Sequence, residues 1–272
     1  MKNNLSFGLL FVILVACNVP LSDQSAFNQS LATRVSIAQT STAISSILQT
    51  ATAVIGNPPN TPVASQPTST STPAPDNPKD ELGSPAWKDT LDNGNYWSLS
   101  SSGTISNDTL IKTEGGSLVM SRNIASGGKT WWLTYPRPKN FYLEGVFSVD
   151  NCSGTDQYGL VFRAVNYNDG FAYYFIVRCD GNFSLMKWDG NGASNLFNWE
   201  KSENIQTGSG KSNGLGVWCN GNSIRLYINS KLIKEIVDNS LTESGYFGLF
   251  MDARETPGFT IRLNEVTYWD LP

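Results

Sequence analysis

Histidine is absent from the 272-residue chain, and that absence removes most catalytic options at once. A Ser-His-Asp or Cys-His nucleophile needs an imidazole to take its proton. His-containing zinc sites and the H-E-x-x-H helix fall with it. Cys152, Cys179 and Cys219 are too widely spaced for a thiolate cluster. "GSGKS" at 208–212 lacks the spacing of a phosphate-binding Walker loop and follows "ENIQT", which reads as a loop, not a buried strand. The turns "NYNDG" (166–170) and "KWDGNG" (187–192) offer oxygens that could hold Ca²⁺. Asp and Asn are equally at home in any turn, so the reading assigns no metal and no cofactor, with calcium as the minor alternative.

Carboxylates are the next resource. In "FYLEGVFSVD" (141–150), Phe141, Leu143, Phe147 and Val149 alternate with Glu144, Ser148 and Asp150, the pattern of a half-buried strand. Glu144 and Asp150 share a face but stand roughly 20 Å apart at ~3.3 Å per residue. Glycoside hydrolysis by paired carboxylates needs about 5 to 9.5 Å. Glu144 is therefore only a weak candidate acid or base, and no catalytic residue is assigned.

Aromatic and amide side chains are plentiful. A sugar ring has an apolar face and many hydroxyls, so its site combines stacking rings with Asn, Asp, Arg and Lys. The available platforms are Trp131, Trp132, Trp188, Trp199, Tyr173 and Tyr174. Neighbours on a strand point to opposite faces, so Trp131 and Trp132 separate, as do Tyr173 and Tyr174. Most Trp residues fill cores; Trp188 and Trp199, beside Asn- and Gly-rich loops, are better placed for a rim. Arg163, between Val161 and Val165 on its expected face, must reach water, a carboxylate or a ligand. The expected ligand group is Arg163, Tyr174, Lys187, Trp188 and Trp199.

These residues sit in a succession of short β-branched and aromatic runs punctuated by Gly, Asn and Asp. "YGLVFRAV", "FAYYFIVRC", "GYFGLFM" and "FTIRLNEVTYW" read as strands, and Asp180-Gly181 and Asn220-Gly221 as hairpin turns. Some ten to twelve strands with no βαβ alternation predict an all-β, antiparallel β-sandwich, with an up-and-down barrel as competitor. Three cysteines in an exported head imply one pair and one leftover. Cys152 with Cys179 is expected, closing a loop of about 27 residues worth roughly 3 to 4 kcal/mol. Cys219 competes, and three reduced thiols remain the alternative.

The N-terminus decides location. Lys2 precedes about a dozen mostly apolar residues, spanning some 18 Å against the roughly 30 Å of a hydrocarbon core. That is the layout of a secretory signal. "LVAC" (14–17) resembles the lipobox of bacterial lipoproteins, which implies cleavage before Cys17 and lipidation of its thiol, an effectively permanent anchor once two or more chains are attached. The expected organisation is a signal peptide (1–16), a lipidated Ser/Thr/Ala-rich segment (17–55), a Pro/Thr/Ser linker (56–81) and the sandwich (82–272). Apolar side chains at Phe27, Leu31, Val35, Ala38, Ile44, Leu48, Ala51 and Ile55 form a helical stripe. It predicts either a coiled-coil stalk that self-associates through residues 21–55 or a fraying helix, the latter favoured by its Ser and Thr content. The linker has polyproline character and a reach of about 70 Å. A formal charge of −4 gives no reason to expect nucleic acid.

"CSGTDQYGLVFRAV", "YYFIVRCDGNFSLMKWDG", "IRLYINSKLIKEIVDNSLTESGYFGLF" and "FTIRLNEVTYWDL" together resemble the concanavalin A-like jelly rolls, in the branch of 3-keto-disaccharide hydrolases and laminin G-like modules. The resemblance covers about residues 86–271. It implies a jelly-roll sandwich in the cell envelope and pairing of Cys152 with Cys179. The fold hosts enzymes, sugar binders and adhesion modules alike. The Glu-x-Asp-x-x-Glu strand of the laminarinase type is missing here. The leading expectation is thus an exported, lipid-anchored carbohydrate-binding module without catalysis. The alternatives are a glycosidase acting on keto-disaccharides or polysaccharide, and an adhesion module with a protein partner.

Overall fold

The computed structural model describes residues 76–272. The signal peptide, Cys17, the stalk at 17–55 and the linker up to residue 75 lie outside the described residues.

Two antiparallel sheets face each other. The larger runs, in spatial order, β14 (Lys231–Val237), β13 (Ser223–Ile228), β12 (Ser212–Asn220), β6 (Phe141–Asn151), β16 (Phe259–Asp270), β4 (Leu118–Arg122), β3 (Thr109–Thr113) and β2 (Thr104–Ser106). β1 (Trp87–Asp89) pairs with β16. The smaller runs β10 (Ala193–Asn195), β9 (Asn182–Trp188), β8 (Ala172–Arg178), β7 (Gln157–Ala164), β15 (Tyr246–Asp252) and β5 (Lys129–Leu133), and β11 (Glu200–Lys201) pairs with β9. The architecture is an antiparallel β-sandwich. Strands β1, β2, β10 and β11 have two or three residues each, too few for alternation to reveal them, which accounts for a count above ten to twelve.

Period-two alternation builds the core. Phe141, Leu143, Phe147 and Val149 of β6 point inward against Tyr158, Leu160 and Phe162 of β7 and Phe247, Leu249 and Met251 of β15. Glu144 points out from the nine-stranded sheet, accepting from Lys79 Nζ at 2.6 Å and from the Tyr142 hydroxyl at 2.8 Å. Lys79 opens the short helix α1 (Lys79–Leu82). Asp76 pairs with Lys231 at 2.7 Å, and Leu82 packs on Tyr142, Tyr227 and Trp269. The boundary read between residues 81 and 82 therefore falls inside an element that already grips the sheet.

Cys152, just after β6, is bonded to Cys179, just after β8, with Cα atoms 5.4 Å apart. The bond ties one sheet to the other. Cys219 is a buried free thiol, pushed up to about 12 by desolvation.

Candidate functional site

The outer face of the seven-stranded sheet carries the alternate residues. Leu133, Gly248, Val161, Tyr174 and Met186 form one cross-strand row. Trp131, Phe250, Gly159, Ile176 and Ser184 form the next. Apolar members of both rows make a second hydrophobic cluster, separate from the core between the sheets. Tyr174 and Trp131 are on this face, while Tyr173 is in the core and Trp132 packs against it, as alternation requires.

Strands β5 and β9 flank this face, with β15, β7 and β8 between them. On a flat sheet they would lie about 19 Å apart. Yet Lys129 Nζ of β5 sits 3.7 Å from Met186 Sδ of β9. The sheet curls until its flanks confront each other, as strong twist and coiling permit. The result is a trough partly filled by its own side chains.

One cavity lies in it and another along its β5 rim, and Trp131 borders both. The smaller, about 290 Å³, is walled by Tyr174, Met186, Phe250, Lys129, Asp169 and Trp188. Trp188 is 37% exposed at its rim. The Tyr174 hydroxyl donates to Gly170 O at 2.6 Å, and burial raises its pKa. Gly170 has φ +69, and a Cβ there would approach the Trp131 ring at 3.0 Å. Only glycine lets the 166–170 turn lie against that indole.

The larger cavity, about 640 Å³, lies along β5. Trp131, Trp132 and Leu133 come from the strand, Ser106 from the end of β2, Asn107 from the β2–β3 turn, and Trp97 and Ser98 from a 3-10 turn at Asn95–Trp97 and its end. Tyr135, Tyr167 and Asn168 complete the wall. The Trp132 indole donates to Trp97 O at 2.8 Å, and the Thr134 hydroxyl to Tyr96 O at 2.8 Å. Ser98 and Tyr135 share a hydroxyl hydrogen bond of 2.5 Å. Tyr135 is 50% and Tyr167 43% exposed. Tyr167 packs on Tyr246 at 4.3 Å between centroids, and Arg137 covers the Tyr246 ring at 4.6 Å. The cavity wall holds rings, amides and hydroxyls, with no carboxylate, Lys or Arg.

The expected ligand group is divided by the fold. Tyr174 and Trp188 meet in the smaller cavity. Trp199 packs beside the same cluster, under the Arg178 guanidinium at 5.0 Å. Arg163 goes elsewhere. A register shift between Tyr246 and Gly248 and a left-handed φ of 51° at Arg163 mark a bulge, which breaks the alternation that would have aligned it with Val161. Its guanidinium is buried and donates to Leu241 O at 3.0 Å and Lys139 O at 3.1 Å. Gly245 makes room, since a Cβ there would lie 2.6 Å from Arg163 Cα. Lys187 turns to the end of the sandwich, donating to Ser240 Oγ at 2.6 Å and pairing with Asp189 at 3.2 Å and Asp238 at 3.8 Å. Glu144 belongs to the opposite sheet.

Asp169, in the turn considered for calcium, accepts from Asn166 at 2.7 Å. Asp189 caps the Asn191 amide and pairs with Lys187, and those two contacts hold its carboxyl below the usual range. Among the described residues no group of three or more Asp, Glu, Cys or His is arranged to hold a metal. Tyr167 and Asn168 belong to the turn considered for calcium, and Tyr135 and Asn107 lie outside every group the sequence marks. Their one local signal is an aromatic or amide side chain in a turn, where no core claims it.

Fold and site together define an antiparallel β-sandwich with an aromatic trough on its smaller sheet. No family model and no curated protein sequence matches the chain. It is similar to the solved structure of the carbohydrate-binding module CBM66 from Bacillus subtilis, at 18% identity and a TM-score of 0.49, over 64% of this chain and 99% of that one. It is also similar to the catalytic domain of an endo-1,3-beta-glucanase (laminarinase) from Thermotoga petrophila RKU-1, at 10% identity and a TM-score of 0.48, over 69% of this chain and 97% of that one.

Proposed function

We propose that the head binds neutral carbohydrate in the trough on the seven-stranded sheet and along its β5 rim, without cleaving it, while Cys17 and its lipid anchor the protein to a membrane facing the extracytoplasmic side. The observation that supports this is the composition of the larger cavity. Trp131, Tyr135 and Tyr167 offer ring faces, and Asn107, Asn168, Ser98 and Ser106 offer neutral donors and acceptors. Neutral walls fit a polyhydroxylated, uncharged ligand, and its size is that of a small-molecule site. Asp169 is the one carboxylate lining either cavity. Paired-carboxylate hydrolysis needs two, which favours binding over catalysis.

A glycan array probed with the full chain tests this, followed by calorimetry on the best neutral oligosaccharide. Trp131→Ala should weaken binding at least tenfold, because this ring serves both cavities, and Trp131→Phe should recover much of the loss. Silence across plant, fungal and bacterial glycans would end the proposal.

A further inference from the structure

The free edge of the seven-stranded sheet supplies polar groups that no side chain reveals. Among the described residues, β5 pairs with β15 on one flank and with no strand on the other. The Thr134 N–H donates to Phe247 O at 2.9 Å, which marks these two as a hydrogen-bonded pair of the antiparallel ladder. Such pairs alternate along a strand, so Trp132 and Thr130 also turn their N–H and C=O toward β15. Lys129, Trp131 and Leu133 turn theirs outward. The Lys129 carbonyl accepts from Asn107 Nδ2 at 3.4 Å. Trp131 and Leu133 line the larger cavity.

An open strand edge ordinarily invites another strand. This one is open for only two outward residues. Asn107 closes one end, and the turn at 95–97, held by the Trp132 and Thr134 side chains, closes the other. That is too short for an added strand, yet it presents N–H donors about 6.8 Å apart in a pocket with uncharged walls. We propose that the main chain of Trp131 and Leu133 reads ligand hydroxyls, so that the edge of β5 selects short neutral oligosaccharides. This inference rests on the carbohydrate reading of the same cavity.

The test uses the full chain and a panel of neutral oligosaccharides of two to six units. Amide exchange of Trp131 and Leu133, followed by NMR, should slow at least tenfold on saturation with the best binder. Proline is tolerated on an edge strand where the N–H faces away from the ladder, so Leu133→Pro removes one donor, and Leu133→Ala controls for the lost side chain. Leu133→Pro should bind about two- to tenfold more weakly than Leu133→Ala. Equal affinities of the two variants, or unchanged exchange in saturated wild type, would overturn the inference and leave the carbohydrate reading standing. If Leu133→Pro does not fold, wild-type exchange decides alone. No binding by wild type to any member overturns the carbohydrate reading, and this inference with it. Protection of these amides by an extended peptide and by no sugar would assign the edge to strand addition instead.

Discussion

Lys129 and Met186 touch across a sheet in which three other strands lie between theirs. The contact shows that the seven-stranded sheet is curled into a trough, and it bridges that trough near the smaller cavity. Lys129 is exposed and gives little to stability, so Lys129→Ala should cost no more than about 0.5 kcal/mol. It should also open the cavity toward Trp188. Acrylamide quenching of tryptophan fluorescence should rise in Lys129→Ala, and the increment should vanish in a Trp188→Phe background. An unchanged quenching constant would mean that the bridge does not limit access.

Arg163 acts as a fastener between loops. Its two bonds hold the carbonyls of Lys139 and Leu241, and bonds from a charged donor are worth about 1.5–3 kcal/mol each. Arg163→Met should therefore lower the urea midpoint by the equivalent of about 3–6 kcal/mol, while glycan affinity stays within twofold. Arg163→Lys, which lacks the planar fork, should fall between. The reverse pattern, affinity lost with stability intact, would return Arg163 to the ligand site.

The Cys152–Cys179 bond closes 27 residues of chain and links β6 to β8 across the two sheets. Replacing both cysteines by serine should cost roughly 3 to 4 kcal/mol in chemical denaturation. In the oxidised wild type, Cys219 should resist iodoacetamide until the protein is unfolded. Rapid labelling of Cys219 in the native state would contradict its burial.

Alkali should destabilise the head progressively from about pH 9 upward. Burial pushes the Cys219 thiol from 9.0 up to about 12, against a smaller opposing pull from Arg163. It also pushes Tyr158 from 10.0 up to about 12, with the Asn213 hydrogen bond opposing it. Each group is neutral when folded and ionises first in the unfolded chain. The unfolded state thus binds fewer protons, and stability falls with rising pH, by up to about 1.4 kcal/mol per pH unit for each group. Between pH 9 and 10 the thiol dominates. Tm against pH in that interval should be flatter for Cys219→Ala than for wild type, even though the variant starts lower; parallel curves would contradict the assignment.

The alternation of Phe141, Leu143, Phe147 and Val149 against Glu144 determined, without any tertiary information, that the strand is half-buried. The same logic separated Trp131 from Trp132 and Tyr173 from Tyr174. These properties are local, because a strand repeats every two residues and its neighbours must divide between its two faces. Arg163 shows where that logic stops. One bulge, permitted by Gly245 on a segment eighty residues away, moved its side chain off the expected face. The trough, the confrontation of Lys129 with Met186, and the unpaired edge of β5 depend on the order in which strands pair and on how far the sheet curls. Those are sums over long-range contacts, and no window of residues contains them.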